Sequence, residues 1–171
     1  MKYSKSYPYF VILSLSIVSM YFLAEKFAHA QSLPAFQLQN LTDETGQLDQ
    51  TQFLGRVSVL NIWASWCPVC RSEHAFLLNI AKTNQVPMFG IDLKDARELA
   101  RNYLQAAGNP YRVVGADTQG IVSEKLGIQA IPQTLLIDKK GIIRYQYAGA
   151  LDAHIWETQI RPRLFQYINE P

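Results

Sequence analysis

The stretch Trp66-Cys67-Pro68-Val69-Cys70 lies between two segments with different hydrophobic patterns, and it decides how the rest of the chain is interpreted. Residues 56–63 form a short run of apolar, mostly β-branched side chains, which predicts a buried strand. Residues 68–84 carry apolar side chains at helical spacing, which predicts a helix. The two cysteines are therefore expected where a strand ends and a helix begins.

A cysteine pair in this position can form and break a disulfide. At the first and fourth positions of a helical turn, the Cα atoms lie about 5–6 Å apart, a distance that a disulfide can bridge. Cys67 is placed at the helix N-terminus, where free N–H groups and the helix dipole stabilise a thiolate. Cys70 is one turn further along and is expected to be shielded. We therefore expect Cys67 to attack disulfides and Cys70 to resolve the mixed disulfide.

Two other interpretations of the pair are weaker. A purely structural disulfide would close a very small ring, which restricts the unfolded chain little and so stabilises little. A structural zinc site needs four ligands, and the chain has no second C-x-x-C. His74 follows Cys70 by one turn and is a candidate third ligand, whereas His29 and His154 are remote in sequence. A C-x-x-C pair at a strand–helix junction favours redox chemistry.

Glu73 lies one helical turn after Cys70 and has two interpretations. A lone glutamate on a helix most often faces solvent. A carboxylate near the cysteines would instead disfavour the thiolate and raise the pKa of the thiol, and it could pass protons during exchange. Our hypothesis is that Glu73 keeps Cys67 from being a strong oxidant.

The rest of the chain alternates strands and helices. Strands are predicted over residues 86–92, 111–115, 134–138 and 142–147, and helices over residues 95–107, 121–126 and 152–167, the last perturbed near Pro162. Residues 33–41 are interpreted as a linker that ends in a strand. This order predicts an α/β fold in which a mixed central sheet carries helices on both faces, within one domain over residues 31–171.

The composition excludes several classes of protein. The chain has 171 residues, of which 49% are apolar and 18% charged, so it is neither disordered nor collagen-like. The formal net charge is +2, and the excess of basic side chains lies within residues 1–30. Residues 31–171 carry equal numbers of acidic and basic side chains. Their composition therefore lacks the excess of positive charge that is typical of nucleic-acid binding. With only two cysteines, the chain is not a disulfide-stapled miniprotein.

Residues 1–30 are predicted to form an N-terminal membrane anchor or signal segment. The nineteen residues between Lys5 and Glu25 are uncharged, and as a helix they would extend roughly 28 Å, about the thickness of a hydrocarbon core. A secretory signal peptide cleaved after Ala28-His29-Ala30 is the alternative, and a buried core helix is disfavoured because the run is apolar on every face. We favour the anchor because the run is longer than a usual signal core. In both favoured cases the positive-inside rule exports residues 31–171 to an oxidising compartment.

The chain resembles the CcmG/DsbE family of thioredoxin-like thiol:disulfide interchange proteins, which act in cytochrome c biogenesis. The resemblance covers roughly residues 33–168. The segments that carry it are Asn61-Ile62-Trp63-Ala64-Ser65-Trp66-Cys67-Pro68-Val69-Cys70-Arg71-Ser72-Glu73-His74, Gly108-Asn109-Pro110-Tyr111, Leu135-Leu136-Ile137-Asp138, Gly141-Ile142-Ile143-Arg144-Tyr145 and Ala148-Gly149-Ala150-Leu151. The W-C-x-x-C motif is common to all thioredoxin-like proteins, whereas the Arg-x-Glu-His and Gly-Asn-Pro-Tyr segments discriminate more sharply.

The resemblance implies a thioredoxin-like domain that one N-terminal transmembrane helix tethers to the inner membrane, facing the periplasm. Such a protein keeps the haem-binding C-x-x-C-H thiols of apocytochrome c reduced and takes electrons from a membrane thiol reductant of the DsbD type. It works beside other cytochrome c maturation proteins, and its redox-active disulfide serves in place of a cofactor or metal. By position, Cys67 attacks, Cys70 resolves and Glu73 is the acidic modulator. Pro132 is the cis proline that faces the disulfide and presents backbone groups to a client peptide.

One departure from the family lies around Pro132. The family usually has Gly-x-Pro-Glu-Thr where this chain has Ala130-Ile131-Pro132-Gln133-Thr134. Gln133 removes a charge beside the expected client groove, and Ile131 is bulkier than the usual residue. Both differences bear on which clients the protein takes and on its reduction potential.

Several functions therefore remain open at this point. A general periplasmic disulfide reductase or isomerase with other clients would use the same chemistry. A metal-delivery module would bind an ion through the two cysteines and His74. A peroxidase is disfavoured because such sites have a different loop around the reactive cysteine.

Overall fold

The computed structural model describes residues 31–83 and 86–171. The strands in these ranges are β1 (Gln31–Ser32), β2 (Gln37–Gln39), β3 (Gln47–Asp49), β4 (Ser58–Trp63), β5 (Met88–Leu93), β6 (Val114–Asp117), β7 (Gln133–Ile137) and β8 (Ile142–Ala148). The helices are α1 (Pro68–Thr83), α2 (Arg97–Ala107), α3 (Ile121–Lys125), α4 (Ala153–Ile155) and α5 (Arg161–Asn169), with a 3-10 turn over Gln50–Phe53. The residues from Gln31 to Pro171 form one compact unit.

The main sheet is mixed, as the alternating pattern predicted. Its strand order is β1-β8-β7-β4-β5-β6, and a separate hairpin pairs β2 with β3. Strands β4, β5 and β6 run parallel, whereas β7, β8 and β1 are joined through antiparallel pairs. The cysteine-bearing strand β4 is therefore central, between one parallel and one antiparallel neighbour.

Two hydrophobic clusters cover the two faces of this sheet. Alternate residues of β4 point to opposite faces, so Val59 belongs to one cluster and Leu60 to the other. Apolar residues of α1, α2 and α5 complete the first cluster, and the second is completed by α3 and the β2–β3 hairpin. Helices on both faces confirm the predicted α/β architecture.

The C-terminal helix is irregular where the sequence predicts a perturbation. A π-helical segment, Trp156–Ile160, separates α4 from α5, and the N–H of Arg161 donates to the carbonyl of Trp156. Pro162 follows at the start of α5, where its missing N–H cannot join the regular helical hydrogen bonds. The π-helical segment, whose turn is wider than that of an α-helix, ends two residues before Pro162.

Strand β6 starts later than the sequence predicts. Residues 111–113 were expected within the strand, which instead begins at Val114. The side chain of Asn109 accepts the N–H of Tyr111 at 2.9 Å, so a side-chain turn replaces the first part of the expected strand.

Residues 1–30, where we predict an anchor or signal segment, lie outside the described residues. Within the ranges that are described, no helix has the length and apolar character needed to cross a bilayer.

Candidate active site around Cys67 and Cys70

Cys67 and Cys70 form a disulfide at the junction that the sequence predicts. Strand β4 ends at Trp63 and helix α1 begins at Pro68, so Cys67 immediately precedes the helix and Cys70 lies in its first turn. The two Cα atoms are 5.3 Å apart. Pro68 occupies the first helical position, where an N–H would have no helical partner.

The start of α1 is built to stabilise a negative sulfur on Cys67. The backbone N–H of Cys70 donates to the Sγ of Cys67 at 3.1 Å. Because this N–H belongs to the first helical turn, it has no carbonyl partner within the helix. After reduction the same N–H can donate to the Cys67 thiolate and stabilise it.

Both cysteines are covered in the oxidised protein. Cys67 and Cys70 are each 4% exposed, whereas we expected only Cys70 to be shielded. The neighbouring side chains are far more exposed, at 56% for Trp66 and 49% for Val69. A partner must therefore approach the disulfide across an apolar rim formed by these two residues.

The segment Ile131-Pro132 lies on the other side of the disulfide. Its peptide bond is cis, as the family resemblance implies. The carbonyl oxygen of Ile131 is 3.9 Å from the Sγ of Cys67, and the carbonyl of Pro132 accepts the N–H of Gly149 at 2.9 Å. Backbone groups of this segment are therefore next to the sulfur that a client must reach.

Gln133, the residue that departs from the family pattern, is not a free polar group beside the disulfide. Its side chain is buried at the start of β7, and its Oε1 accepts a hydrogen bond from the Nε2 of Gln146 at 2.6 Å. This hydrogen bond links the first residue of β7 to a residue near the C-terminal end of β8.

Glu73 is buried on the inner face of α1, so the solvent-facing interpretation is wrong. The residue is 2% exposed. Its Oε1 accepts the Nδ2 of Asn61 at 3.1 Å, and its Oε2 accepts the N–H of Leu151 at 2.6 Å. Burial raises the pKa of the carboxyl to about 7, although both hydrogen bonds oppose the rise. The group is thus only partly ionised near neutral pH, and the expected repulsion of a thiolate acts only in the ionised fraction.

Asn61 connects Glu73 to two further side chains that the sequence analysis did not identify. Its Nδ2 also donates to the Oγ1 of Thr134 at 3.2 Å, and its Oδ1 accepts the hydroxyl of Tyr111 at 2.8 Å. Thr134 lies two residues after Pro132, so the network reaches the cis-proline segment. One signal was present in the sequence, because Asn61 is a polar residue between the apolar Leu60 and Ile62 of a predicted buried strand.

His74 is engaged in contacts that leave it unsuited to metal binding. Its Nε2 is 2.9 Å from the carbonyl of Gly108, and its ring packs edge-on against Tyr103. Burial lowers the pKa of His74, which keeps the imidazole neutral near pH 7. No group of three His, Cys, Asp or Glu side chains able to hold a metal occurs in the described part of the chain.

The turn after β5 holds the residues that immediately precede Cys67. The Oδ2 of Asp95 accepts the N–H of Ser65 at 2.6 Å, and the carbonyl of Lys94 accepts the Nε1 of Trp66 at 3.1 Å. Lys94 has a φ of 48°, a left-handed conformation that is uncommon outside glycine. The exposed indole of Trp66 is therefore fixed at the rim of the site.

A family model and individual related proteins assign the chain to the same kind of protein. The redoxin family model matches residues 28–160. The thiol:disulfide interchange protein DsbE of Tatumella citrea is 40% identical over 147 residues, covering 85% of this chain and 78% of that protein. The DsbE of Escherichia coli strain K12 is 40% identical over 140 residues, covering 81% of this chain and 75% of its own.

A solved structure supports the same architecture. A secreted thiol-disulfide isomerase from Corynebacterium glutamicum superposes with a TM-score of 0.67 at 25% sequence identity, covering 79% of this chain and 87% of that one. The strand–helix junction carrying Cys67 and Cys70 therefore belongs to a fold used for thiol–disulfide exchange.

Proposed function

The chain belongs to the redoxin family and, within it, to the DsbE thiol:disulfide interchange proteins, and from this premise we propose that it reduces the haem-binding cysteines of apocytochrome c. Thiol–disulfide exchange at Cys67 and Cys70, with no cofactor, is the activity of the family. The proposal adds the client and the direction of electron flow.

The observation that carries the proposal is the narrow, apolar access to Cys67. Cys67 is 4% exposed, the apolar side chains of Trp66 and Val69 near it in sequence are exposed, and the Ile131 carbonyl oxygen lies 3.9 Å from its Sγ. A folded protein with a recessed disulfide cannot bring its sulfur into this space. An extended segment can, and the C-x-x-C-H segment of a cytochrome c is of this kind before haem attaches.

The proposed reaction transfers two electrons to the client. The Cys67 thiolate attacks the client disulfide, forms a mixed disulfide and releases the first client thiolate. The Cys70 thiolate then attacks the Cys67 sulfur, which breaks the mixed disulfide and releases the second client thiolate. The products are the Cys67–Cys70 disulfide and a client dithiol that takes up two protons.

Glu73 is the proposed proton acceptor for Cys70. It lies one turn after Cys70 on the buried face of α1, and its carboxyl has a pKa of about 7. A group with this pKa exchanges protons readily at neutral pH. It therefore suits the deprotonation of a thiol that solvent does not reach.

We further propose that residues 1–30 tether the domain to the inner membrane, with residues 31–171 in the periplasm. The uncharged run between Lys5 and Glu25 supports the tether, and the lysines before it support the orientation. A membrane thiol reductant of the DsbD type would return the pair to the dithiol form.

The test is covalent trapping with the full chain carrying Cys70→Ser. Without Cys70 the mixed disulfide at Cys67 cannot be resolved, so clients stay attached. We expect the variant, expressed in cells that make cytochrome c, to capture apocytochrome c. The matched control is Cys67→Ser, which keeps Cys70 and should capture nothing, because Cys70 is the resolving thiol.

The captured proteins distinguish the proposed client from the alternatives. Capture of many unrelated proteins without an apocytochrome would identify a general periplasmic reductase or isomerase. A purified, oxidised C-x-x-C-H peptide provides the second arm. We expect the reduced protein to convert it to the dithiol, and failure to do so would reject the proposed client.

A further inference from the structure

Asn61 places a side-chain amide in the middle of the central strand β4. The residue is 0% exposed, and every other residue of this strand is also buried. Burying an amide is costly unless its polar atoms have hydrogen-bond partners. Antiparallel pairing sets Thr134 of β7 directly opposite Asn61, so the two side chains lie on the same face of the sheet.

The partners of the Asn61 amide fix its orientation. Its Nδ2 donates to the Oε1 of Glu73 at 3.1 Å and to the Oγ1 of Thr134 at 3.2 Å, and its Oδ1 accepts the Tyr111 hydroxyl at 2.8 Å. An ionised carboxylate can only accept hydrogen bonds, so the nitrogen end of the amide must face Glu73 when that residue is charged. The Tyr111 hydroxyl, which donates to the oxygen end, favours the same orientation.

Gly90 gives the Tyr111 ring room to reach Asn61. It is the residue of β5 that pairs with Asn61, and a Cβ added to it would lie 3.0 Å from the Cγ of Tyr111. A larger residue would therefore force the ring to shift. Asn61 is thus held from both neighbouring strands, by Thr134 on β7 and by Tyr111 across Gly90 on β5.

Both carboxyl oxygens of Glu73 accept hydrogen bonds. The Oε1 accepts the Asn61 amide, and the Oε2 accepts the main-chain N–H of Leu151 at 2.6 Å. Hydrogen bonds to an ionised group are stronger than those to a neutral one, so both favour the charged carboxylate. Any residue except proline would supply the N–H at position 151. The Asn61 amide is therefore the partner of Glu73 that depends on residue type.

We propose that Asn61 is a positioning residue for thiol–disulfide exchange, and that its amide keeps Glu73 ionised and able to accept the proton of Cys70. When the mixed disulfide is resolved, Cys70 gives its proton to Glu73 and its sulfur attacks the Cys67 sulfur. The bond between Cys67 and the client then breaks, and the electron pair leaves on the client thiolate. A Glu73 that already carries a proton cannot accept this one. The inference rests on the proposed function of Glu73 and deepens it.

The Asn61 hydrogen bond acts on a carboxyl group that is balanced between its two forms. Burial raises the pKa of Glu73 to about 7, and the hydrogen bonds from Leu151 and Asn61 oppose the rise. Without the Asn61 amide, the pKa would rise further and Glu73 would be mostly protonated at neutral pH. Asn61 therefore preserves the proton acceptor over the neutral range.

The titratable side chains near this network are His74, Tyr111 and Asp92. His74 directs its Nε2 to the carbonyl of Gly108, and burial lowers its pKa. Burial raises the pKa of Tyr111 well above its usual value, so this hydroxyl keeps its proton. Asp92 of β5 acts on Tyr111 through its charge and has a pKa of about 8. Its titration must therefore be separated from that of Glu73 in any test.

The first experiment uses NMR on the oxidised full chain between pH 5 and pH 9. It follows the carboxyl carbon of Glu73 and the two Nδ2 protons of Asn61. We expect the proton directed to Glu73 to move with the Glu73 carboxyl, near pH 7, and to move more than the proton directed to Thr134. Glu73→Gln should abolish this transition. An Asn61 amide that is indifferent to the Glu73 titration, or a transition that survives Glu73→Gln and so comes from Asp92, would overturn the proposal.

Two variants of similar shape separate positioning from a purely structural role. Asn61→Leu removes the hydrogen bond to Glu73, and Thr134→Val removes the other acceptor of the same amide. We expect Asn61→Leu to raise the proton affinity of Glu73 about tenfold, because a hydrogen bond to the charged form is lost. Thr134→Val should leave the Glu73 titration near pH 7. A structural role would lower stability in both variants and displace the titration in neither, which would contradict the proposal.

The second experiment follows the reduced full chain as it reacts with an equimolar aromatic disulfide whose thiolate is coloured. The first thiolate is released when Cys67 attacks, and the second when Cys70 resolves the mixed disulfide. In Asn61→Leu the second phase should slow several-fold at pH 7 and recover toward pH 9, whereas the first should not slow. Identical second phases in Asn61→Leu and the unmodified protein would reject the role of Asn61. Neither experiment uses a cytochrome segment, so failure here is distinguishable from failure of the proposed client.

Discussion

The carboxylate of Glu73 accepts the backbone N–H of Leu151 at 2.6 Å, which ties helix α1 to the loop after β8. The same loop donates the N–H of Gly149 to the carbonyl of Pro132. Through Asn61, Glu73 also reaches Thr134 on the other side of the cis proline. Glu73 therefore connects helix α1 to the loop that contacts Pro132 and, through Asn61, to Thr134 just after Pro132.

Glu73→Gln should lower the pKa of the Cys67 thiol. The substitution removes a negative charge near the thiolate, and the charge is present mainly above the Glu73 pKa of about 7. The rate of alkylation of Cys67 against pH measures the thiol pKa. Glu124→Gln, which changes an exposed acid on α3, is the matched control. An identical thiol pKa in Glu73→Gln and the unmodified protein would reject the hypothesis that Glu73 modulates Cys67.

The burial of Glu73 should also make stability depend on pH. Its pKa is raised from 4.5 to about 7, so the folded protein binds this proton more tightly than the unfolded chain. The contribution of Glu73 to the free energy of unfolding is fully present below pH 4.5 and is lost as pH rises through about 7. A pKa change of this size corresponds to about 3 kcal/mol.

Urea denaturation at a series of pH values tests this dependence. Asp92, whose pKa is also raised, contributes with the same sign, so the comparison is between the unmodified protein and Glu73→Gln. We expect the difference between their free energies of unfolding to change between pH 4.5 and about 7. A difference that is constant over this interval would mean that Glu73 has its ordinary pKa in the folded protein.

Tyr111→Phe should destabilise the domain without changing the cysteines themselves. The Tyr111 hydroxyl donates to the Oδ1 of Asn61 at 2.8 Å, and both residues are buried. Removing the hydroxyl leaves an unpaired acceptor, which costs about 1–3 kcal/mol. Chemical denaturation measures the loss. Tyr147→Phe, on a partly exposed tyrosine of β8, serves for comparison and should have a smaller effect.

Much of this arrangement follows from sequence pattern, and the exceptions have physical causes. The predicted strands around β4, β5, β7 and β8 were found because their apolar runs are long enough to show periodicity. Strands β1 and β3 span only two and three residues, which is too short for a pattern. The C-x-x-C pair was identifiable because its chemistry depends on adjacent residues.

The buried polar network was not predictable in the same way. Asn61 and Thr134 are 73 residues apart in the chain, and only the antiparallel pairing of β4 with β7 brings them together. Glu73 lies three residues after Cys70 and four before Leu77, on the buried face of α1, but its charge favours the exposed interpretation, and the Leu151 N–H that it accepts comes from a distant loop. Such contacts arise from tertiary packing, which local periodicity does not contain.

Trp66→Ala should slow client reduction while leaving the fold intact. The indole is 56% exposed, so its loss removes little buried area in the free protein, but it removes an apolar surface beside Cys67. Loss of such an aromatic contact costs on the order of 1–2 kcal/mol in binding, which is about tenfold in kcat/KM for an oxidised C-x-x-C-H peptide. The effect should fall mainly on KM, because the sulfurs are unchanged. Phe165→Ala removes an equally exposed aromatic side chain from α5 and should leave kcat/KM unaltered. Equal losses in the two variants would show that the rim around Cys67 does not bind clients.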